Sequence, residues 1–145
     1  MLKKYIIFLL LSFITCPLYS QCVDLGTINS QNQVDSLSGC EIIQGNLVLS
    51  GPGITDLSSL SSLSVVSGGF YLLNTSVTDL SALSSLNSAQ QLFIQGNTYL
   101  NSCCEFLQFN EAAQLGSIMN VSLSNNGECD DIEAIMLDCL GYIEG

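Results

Sequence analysis

The segment Ile54-Thr55-Asp56-Leu57-Ser58-Ser59-Leu60-Ser61-Ser62-Leu63 returns at a fixed offset, Ile54 to Val77, as Val77-Thr78-Asp79-Leu80-Ser81-Ala82-Leu83-Ser84-Ser85-Leu86. Upstream of each copy lies a short apolar alternation, Leu47-Val48-Leu49 and Phe70-Tyr71-Leu72, held to the same offset. A third alternation, Leu92-Phe93-Ile94, arrives one position early. Asn97 and Leu100 then return to the full offset from Asn74 and Val77, so an insertion is expected around Gln95-Gly96. A period of this length is the signature of a repeat architecture. One unit cannot bury its own apolar side, whereas stacked units share a core and pair their strands in parallel.

Within a unit, Leu47 and Leu49, Phe70 and Leu72, or Leu92 and Ile94 point to one face of a strand. Gly51-Pro52-Gly53 and Asn74-Thr75-Ser76 supply the following turn, because Gly and Asn tolerate the positive φ such corners need. Leu57, Leu60 and Leu63, like Leu80, Leu83 and Leu86, then recur at every third position. That spacing suits a 3₁₀ or short α turn with one leucine stripe facing inward. Gly68-Gly69 marks the corner before the second strand. The expected fold is mainly β with short helices: a short right-handed β-helix or leucine-rich-repeat-like solenoid with parallel strands. Its repeats run over about 45–67, 68–90 and 91–102, with a helical C-terminal cap over 103–140.

The ends read as caps. Ser102-x-x-Glu105 predicts a capping box opening a helix over Cys103–Ala113, with Phe106, Phe109 and Ala113 near one face. Gly116 closes it, Met119, Val121 and Leu123 alternate as a strand, and Asn125-Asn126-Gly127 is a turn. Asp130-x-x-Glu133 opens a last helix whose Ile132, Ile135, Met136, Cys139 and Leu140 form an apolar stripe. Cys22 to Cys40 reads as polar and loop-like.

Residues 1–20 have the pattern of a secretory signal peptide. Met1-Leu2-Lys3-Lys4 is a charged start, Tyr5 to Ile14 an apolar run, and Leu18-Tyr19-Ser20 a cleavage site leaving Gln21 or Cys22 first. A membrane anchor fits less well, since the stretch Tyr5–Tyr19 is broken by Cys16-Pro17 and a span needs about twenty residues. No lipobox precedes Cys16 or Cys22. The mature part, 21–145, suits one domain in a secreted, extracellular or cell-surface protein with no membrane span after cleavage. Six cysteines remain there: Cys22, Cys40, Cys103, Cys104, Cys129 and Cys139. An even count behind an export signal predicts disulfides rather than a thiolate metal cluster. A Cys22–Cys40 bridge would staple the first coil, and Cys103 and Cys104 would clip the cap to Cys129 and Cys139, with the pairing open. Adjacent Cys103 and Cys104 do not suit one another.

The chain has thirteen acids, two lysines, no arginine and no histidine, for a formal charge of −11. Both lysines, Lys3 and Lys4, lie in the signal. Without cations there is nothing to hold a phosphate backbone, which excludes nucleic-acid binding. Without imidazole or a mature lysine there is no Ser-His or Cys-His nucleophile, no His-ligated zinc, no Schiff base and no P-loop. No cofactor is expected.

The stretch Cys40-Glu41-Ile42-Ile43-Gln44-Gly45-Asn46-Leu47-Val48-Leu49 resembles the opening of the receptor L-domain, the leucine-rich-repeat-like ligand-binding lobe of insulin- and EGF-type receptors. The Ile-Thr-Asp-Leu-Ser-Ser-Leu units and Leu92-Phe93-Ile94-Gln95-Gly96-Asn97 are similar to bacterial secreted members of that superfamily. So is the tail Ser102-Cys103-Cys104 with Asn125-Asn126-Gly127-Glu128-Cys129 and Cys139. The resemblance covers about residues 40–140 and implies a β-helical binding lobe, without implying which ligand.

Asp56 and Asp79 occupy equivalent positions, about one strand spacing, roughly 4.8 Å, apart in a stack. Such a pair can share a proton or a calcium ion, or act as acid and nucleophile. Each also directly precedes a Leu-Ser-x-Leu turn and can cap its free N–H groups, the simpler expectation. Glu128, Asp130, Asp131 and Glu133 do not follow calcium-loop spacing and suit a first helical turn. The serines have no base to activate them. Asn74-Thr75-Ser76 and Asn120-Val121-Ser122 fit the glycosylation pattern, which matters only in a eukaryotic secretory pathway. Tyr71 and Phe93 sit mid-strand opposite the inferred core face, and with Tyr99 are the candidate contact aromatics. The expected function is a secreted binding or adhesion module for an extracellular protein or glycan, with no catalysis. The alternatives are a carboxylate-dependent polysaccharide-active enzyme and a calcium-binding structural surface protein.

Overall fold

The computed structural model describes residues 20–23 and 25–140. The proposed signal peptide falls on residues 1–19 and Ser20, almost wholly outside the described residues. The protein is mainly β. Strands β1 (Gln21–Val23), β2 (Thr27–Ile28), β3 (Ile42–Gln44), β4 (Leu47–Ser50), β5 (Val65–Leu73), β6 (Ser88–Gln95) and β7 (Ile118–Ser124) form one seven-stranded sheet. Every pairing in it is parallel. The helices are short: α1 (Gln31–Asp35), α2 (Glu105–Gln114) and α3 (Ile132–Leu140), with 3₁₀ turns at Ser58–Leu60, Ser81–Leu83 and Gly127–Cys129.

The repeat sets the register. Leu47 pairs with Phe70, one full sequence repeat away, Phe70 with Leu92, one position short of a repeat, and Leu92 with Val121 across a longer connection. The alternation places Leu47, Leu49, Phe70, Leu72, Leu92 and Ile94 inward, all buried, as expected. A second inward row, Ile43, Val66, Ala89 and Ile118, crosses β3 and the N-terminal ends of β5, β6 and β7.

The inward triplet is more widely repeated than its leucines suggest. Val34, Leu37 and Cys40 stand one repeat before Leu57, Leu60 and Leu63, and Cys103, Phe106 and Phe109 stand one repeat after Leu80, Leu83 and Leu86. All twelve side chains are at most 7% exposed. The segment 22–40 is therefore not a polar loop but the first copy of the unit, carrying β1, β2 and α1. Gln31 ties that copy to the next, accepting from the N–H groups of Thr55 and Asp56 at 2.9 and 3.0 Å and donating to the Asp56 carbonyl at 2.8 Å. Likewise α2 is the fourth copy, lengthened into a helix. Gln108 of α2 donates to the carbonyls of Ser84 and Leu86 in the preceding copy.

Several local expectations shift. Gly68 and Gly69 lie inside β5 rather than before it, where a bulge shortens the pairing offset by one. Gly68 donates to the Gly45 carbonyl at 2.8 Å, an approach that leaves no room for a Cβ. The shorter offset persists past β6, where Asn74 and Gly96 share the positive-φ corner. The insertion is absorbed in the Thr98–Tyr99 turn, since Ser102 pairs with Asp79 at the full repeat again. Ser102 is committed to that bridge, so no capping box forms; the N-cap of α2 is Cys104, with no side-chain cap. Ala112 rather than Ala113 completes the buried face of α2. In α3, Asp131 rather than Asp130 accepts from the Glu133 N–H, at 2.9 Å. Ile135 is buried, but Met136 and Leu140 are exposed.

Three disulfides close the ends: Cys22–Cys40, Cys103–Cys129 and Cys104–Cys139. They are compatible with an oxidising extracellular environment. No helix among the described residues is long and apolar enough to cross a membrane.

Candidate functional site: the outward strand face

Because side chains alternate along a strand, burying Leu47, Leu49 and their partners turns the intervening residues outward. One row across the sheet is Thr27, Val48, Tyr71, Phe93 and Ser122. Beside it on one side run Ser50, Leu73, Gln95 and Ser124, and on the other Gly69, Gln91 and Asn120.

The structure brings Tyr71 and Phe93 together at the middle of this face. Their ring centroids are 5.3 Å apart with planes inclined by 5°, an offset stack, and both residues are half-buried. Such a pair adds about 0.5–1.5 kcal/mol beyond its buried area. Gly69 makes the arrangement possible: a Cβ there would lie 2.5 Å from the Tyr71 ring, so the ring reclines over the glycine. The tyrosine hydroxyl then donates to Gln91 Oε1 at 2.8 Å, and Gln95 Nε2 donates to the Ser122 hydroxyl at 3.1 Å. Tyr99 is 64% exposed but sits in the turn after Asn97, not on this row.

Asp56 and Asp79 are exposed and act on their own turns. Asp56 accepts from the Ser58 N–H at 2.8 Å and from its hydroxyl at 2.7 Å; Asp79 accepts from the Ser81 N–H. The backbone bond from Ser58, then its hydroxyl, hold the Asp56 carboxyl below the ordinary aspartate range. Each carboxylate thus satisfies an N–H that the start of a helical turn leaves without a partner. Asp130 accepts from the Asn126 N–H at 2.8 Å. Among the described residues no group of three or more His, Cys, Asp or Glu side chains is placed to hold a metal ion. Thr75, the middle residue of the first glycosylation-like sequence, buries its hydroxyl on Asn97 Oδ1 at 2.6 Å.

The corner behind the face escaped the sequence reading. Asn97 and Asn126 are fully buried. Asn97 accepts from the Thr75 N–H and donates to the Leu72 carbonyl and to Asn126 Oδ1, and Asn126 donates in turn to the Ile94 carbonyl. This amide ladder fixes the strand ends that carry Leu73, Gln95 and Ser124. The chain matches no family model, no curated protein and no solved structure.

Proposed function

We propose that the protein is an exported binding module, a short solenoid of the receptor-L-domain kind, that docks an extracellular protein or glycan through the Tyr71–Phe93 face and performs no catalysis. The stacked aromatic pair on an otherwise open parallel-strand face carries this reading. Aromatic side chains supply most of the energy at interfaces because they bury large area with few rotatable bonds. The near-constant strand offset through β4, β5 and β6 and the four inward triplets support a stacked-coil architecture, in which such a face is a natural ligand surface. The signal pattern and the three disulfides support export. Asp56 and Asp79, on which a hydrolase or a calcium site would depend, are occupied by turn hydrogen bonds.

The test is capture of partners from surface extracts by immobilised protein spanning residues 21–145 with its disulfides intact. Capture should be lost in Tyr71→Ala and Phe93→Ala while the protein stays folded, with a fall in melting temperature no larger than loss of the ring pair explains. Turnover of a polysaccharide that Asp56→Asn and Asp79→Asn abolish, with capture unaffected by the aromatic variants, would overturn the proposal.

A further inference from the structure

The chain is strongly acidic, yet among the described residues no carboxylate lies on the outward strand face. None of Thr27, Val48, Ser50, Gly69, Tyr71, Leu73, Gln91, Phe93, Gln95, Asn120, Ser122 and Ser124 is charged. The acids lie instead on the turns, as Asp56 and Asp79 do, and toward the ends, as Glu128, Asp130 and Asp131 do. A cationic partner would find no carboxylate on this face, and a polyanion would approach a chain whose thirteen acids are opposed only by Lys3 and Lys4 at its start.

What the face does offer is mixed. Phe93 stands on β6 between Gln91 and Gln95, each two positions away, or roughly 6.6 Å along a strand. Gln91 accepts the Tyr71 hydroxyl with its carbonyl and presents its NH2 group. Gln95 donates to Ser122 and presents its carbonyl. Donors, acceptors and an aromatic surface therefore alternate over roughly 13 Å, the length of a few sugar units, with no net charge. Neutral sugars have matching parts: C–H faces that pack on aromatic rings, and hydroxyls that both donate and accept. The reclined Tyr71 ring and the absent Gly69 side chain keep the surface low, which suits an extended chain.

We infer that the Tyr71–Phe93 face binds a neutral glycan chain, with the ring pair packing on sugar C–H faces and Gln91 and Gln95 hydrogen-bonding the flanking hydroxyls. This rests on the proposed role of the face as a docking surface and names its ligand class. Calorimetry of the disulfide-intact protein with cellohexaose, xylohexaose, mannohexaose and chitohexaose tests it, with oligogalacturonate and oligoalginate as acidic counterparts. At least one neutral hexaose should bind, with an affinity unchanged in about 0.5 M salt, where surface charge is screened. Tyr71→Ala and Phe93→Ala should each weaken that binding about tenfold, Gln91→Ala less, and Ser62→Ala on the exposed turn layer not at all. Binding of the acidic oligomers alone, or of none of the neutral ones, overturns the inference. If the neutral oligomers fail while the same aromatic variants still abolish capture of a surface protein, the glycan assignment falls and the docking face stands. If the aromatic variants change neither, both fall.

Discussion

In the two central repeats the inward triplets are leucine throughout, Leu57-Leu60-Leu63 and Leu80-Leu83-Leu86, whereas the first and last triplets each place a cysteine among their apolar residues: Cys40 and Cys103. A central unit has a neighbour on both sides and hides its leucines fully, each worth about 1.5–3 kcal/mol. An end unit has one neighbour only. There Cys40 bonds back to Cys22 in β1, and Cys103 bonds forward to Cys129 in the turn after the last strand. The open end still shows: Leu115, Met119, Met136, Leu137 and Leu140, all C-terminal to the central repeats, are exposed. Covalent closure at Cys22–Cys40 and Cys103–Cys129 thus falls at the ends, where burial by a second neighbour is missing.

The sharpest way to break this contrast is to treat the two regions alike. Leu83→Ala empties a site that is 0% exposed between two neighbours, and should cost about 3–5 kcal/mol, read from urea unfolding. A cost under about 1 kcal/mol would mean that the central leucines are not packed as described. Removing the Cys103–Cys129 bridge with Cys103→Ala and Cys129→Ala should cost about 3 kcal/mol. Its signature is local: hydrogen exchange should quicken in β7 and α2 while β5 and β6 stay protected. Uniform loss of protection would erase the distinction between centre and end.

Between the two regions lies the amide ladder. Asn97→Leu keeps the branched side-chain shape but strips hydrogen bonds from the Thr75 N–H and the Leu72 carbonyl, each of which costs about 1–3 kcal/mol when buried without a partner. A destabilisation of about 2–4 kcal/mol is expected, against under about 0.5 kcal/mol for the exposed Asn87→Leu.

The smallest effect belongs to the turn carboxylates of the central units. Asp56→Ala should cost about 1 kcal/mol or less, and Asp56→Asn less still, because the amide keeps an acceptor for Ser58. The Asp56 carboxyl is lowered in the folded protein, so its contribution is complete above the unfolded value near 3.8 and is lost as pH falls through the lower folded value. The difference in melting temperature between wild type and Asp56→Asn should accordingly shrink below about pH 3.8. A gap that widened in acid would reverse the assigned cause.

The sequence displays the parts of the fold where physics and residue identity coincide. The central leucine triplets and the outward placement of Tyr71 and Phe93 follow from strict period and alternation. The outer triplets were hidden because burial demands apolar bulk at every third position, not leucine, and Val34-Leu37-Cys40 and Cys103-Phe106-Phe109 meet that demand with other residues. Ser102-x-x-Glu105 misled because a local capping pattern competes with tertiary pairing, and the bridge to Asp79 won. The Gln91 and Gln95 flanks were legible in principle from the alternation on β6. The reclined Tyr71 ring was not, since it depends on an empty Gly69 in space.

The proposed docking face depends on the lateral register that aligns the outward row. Interstrand backbone NOEs in the disulfide-intact protein measure it directly. They should connect Val48 to Tyr71, Tyr71 to Phe93 and Phe93 to Ser122 across parallel strands. Contacts from Tyr71 to Ile94 instead of Phe93, or no contacts between these segments, would separate the two rings and contradict both the stacked repeats and the face built upon them.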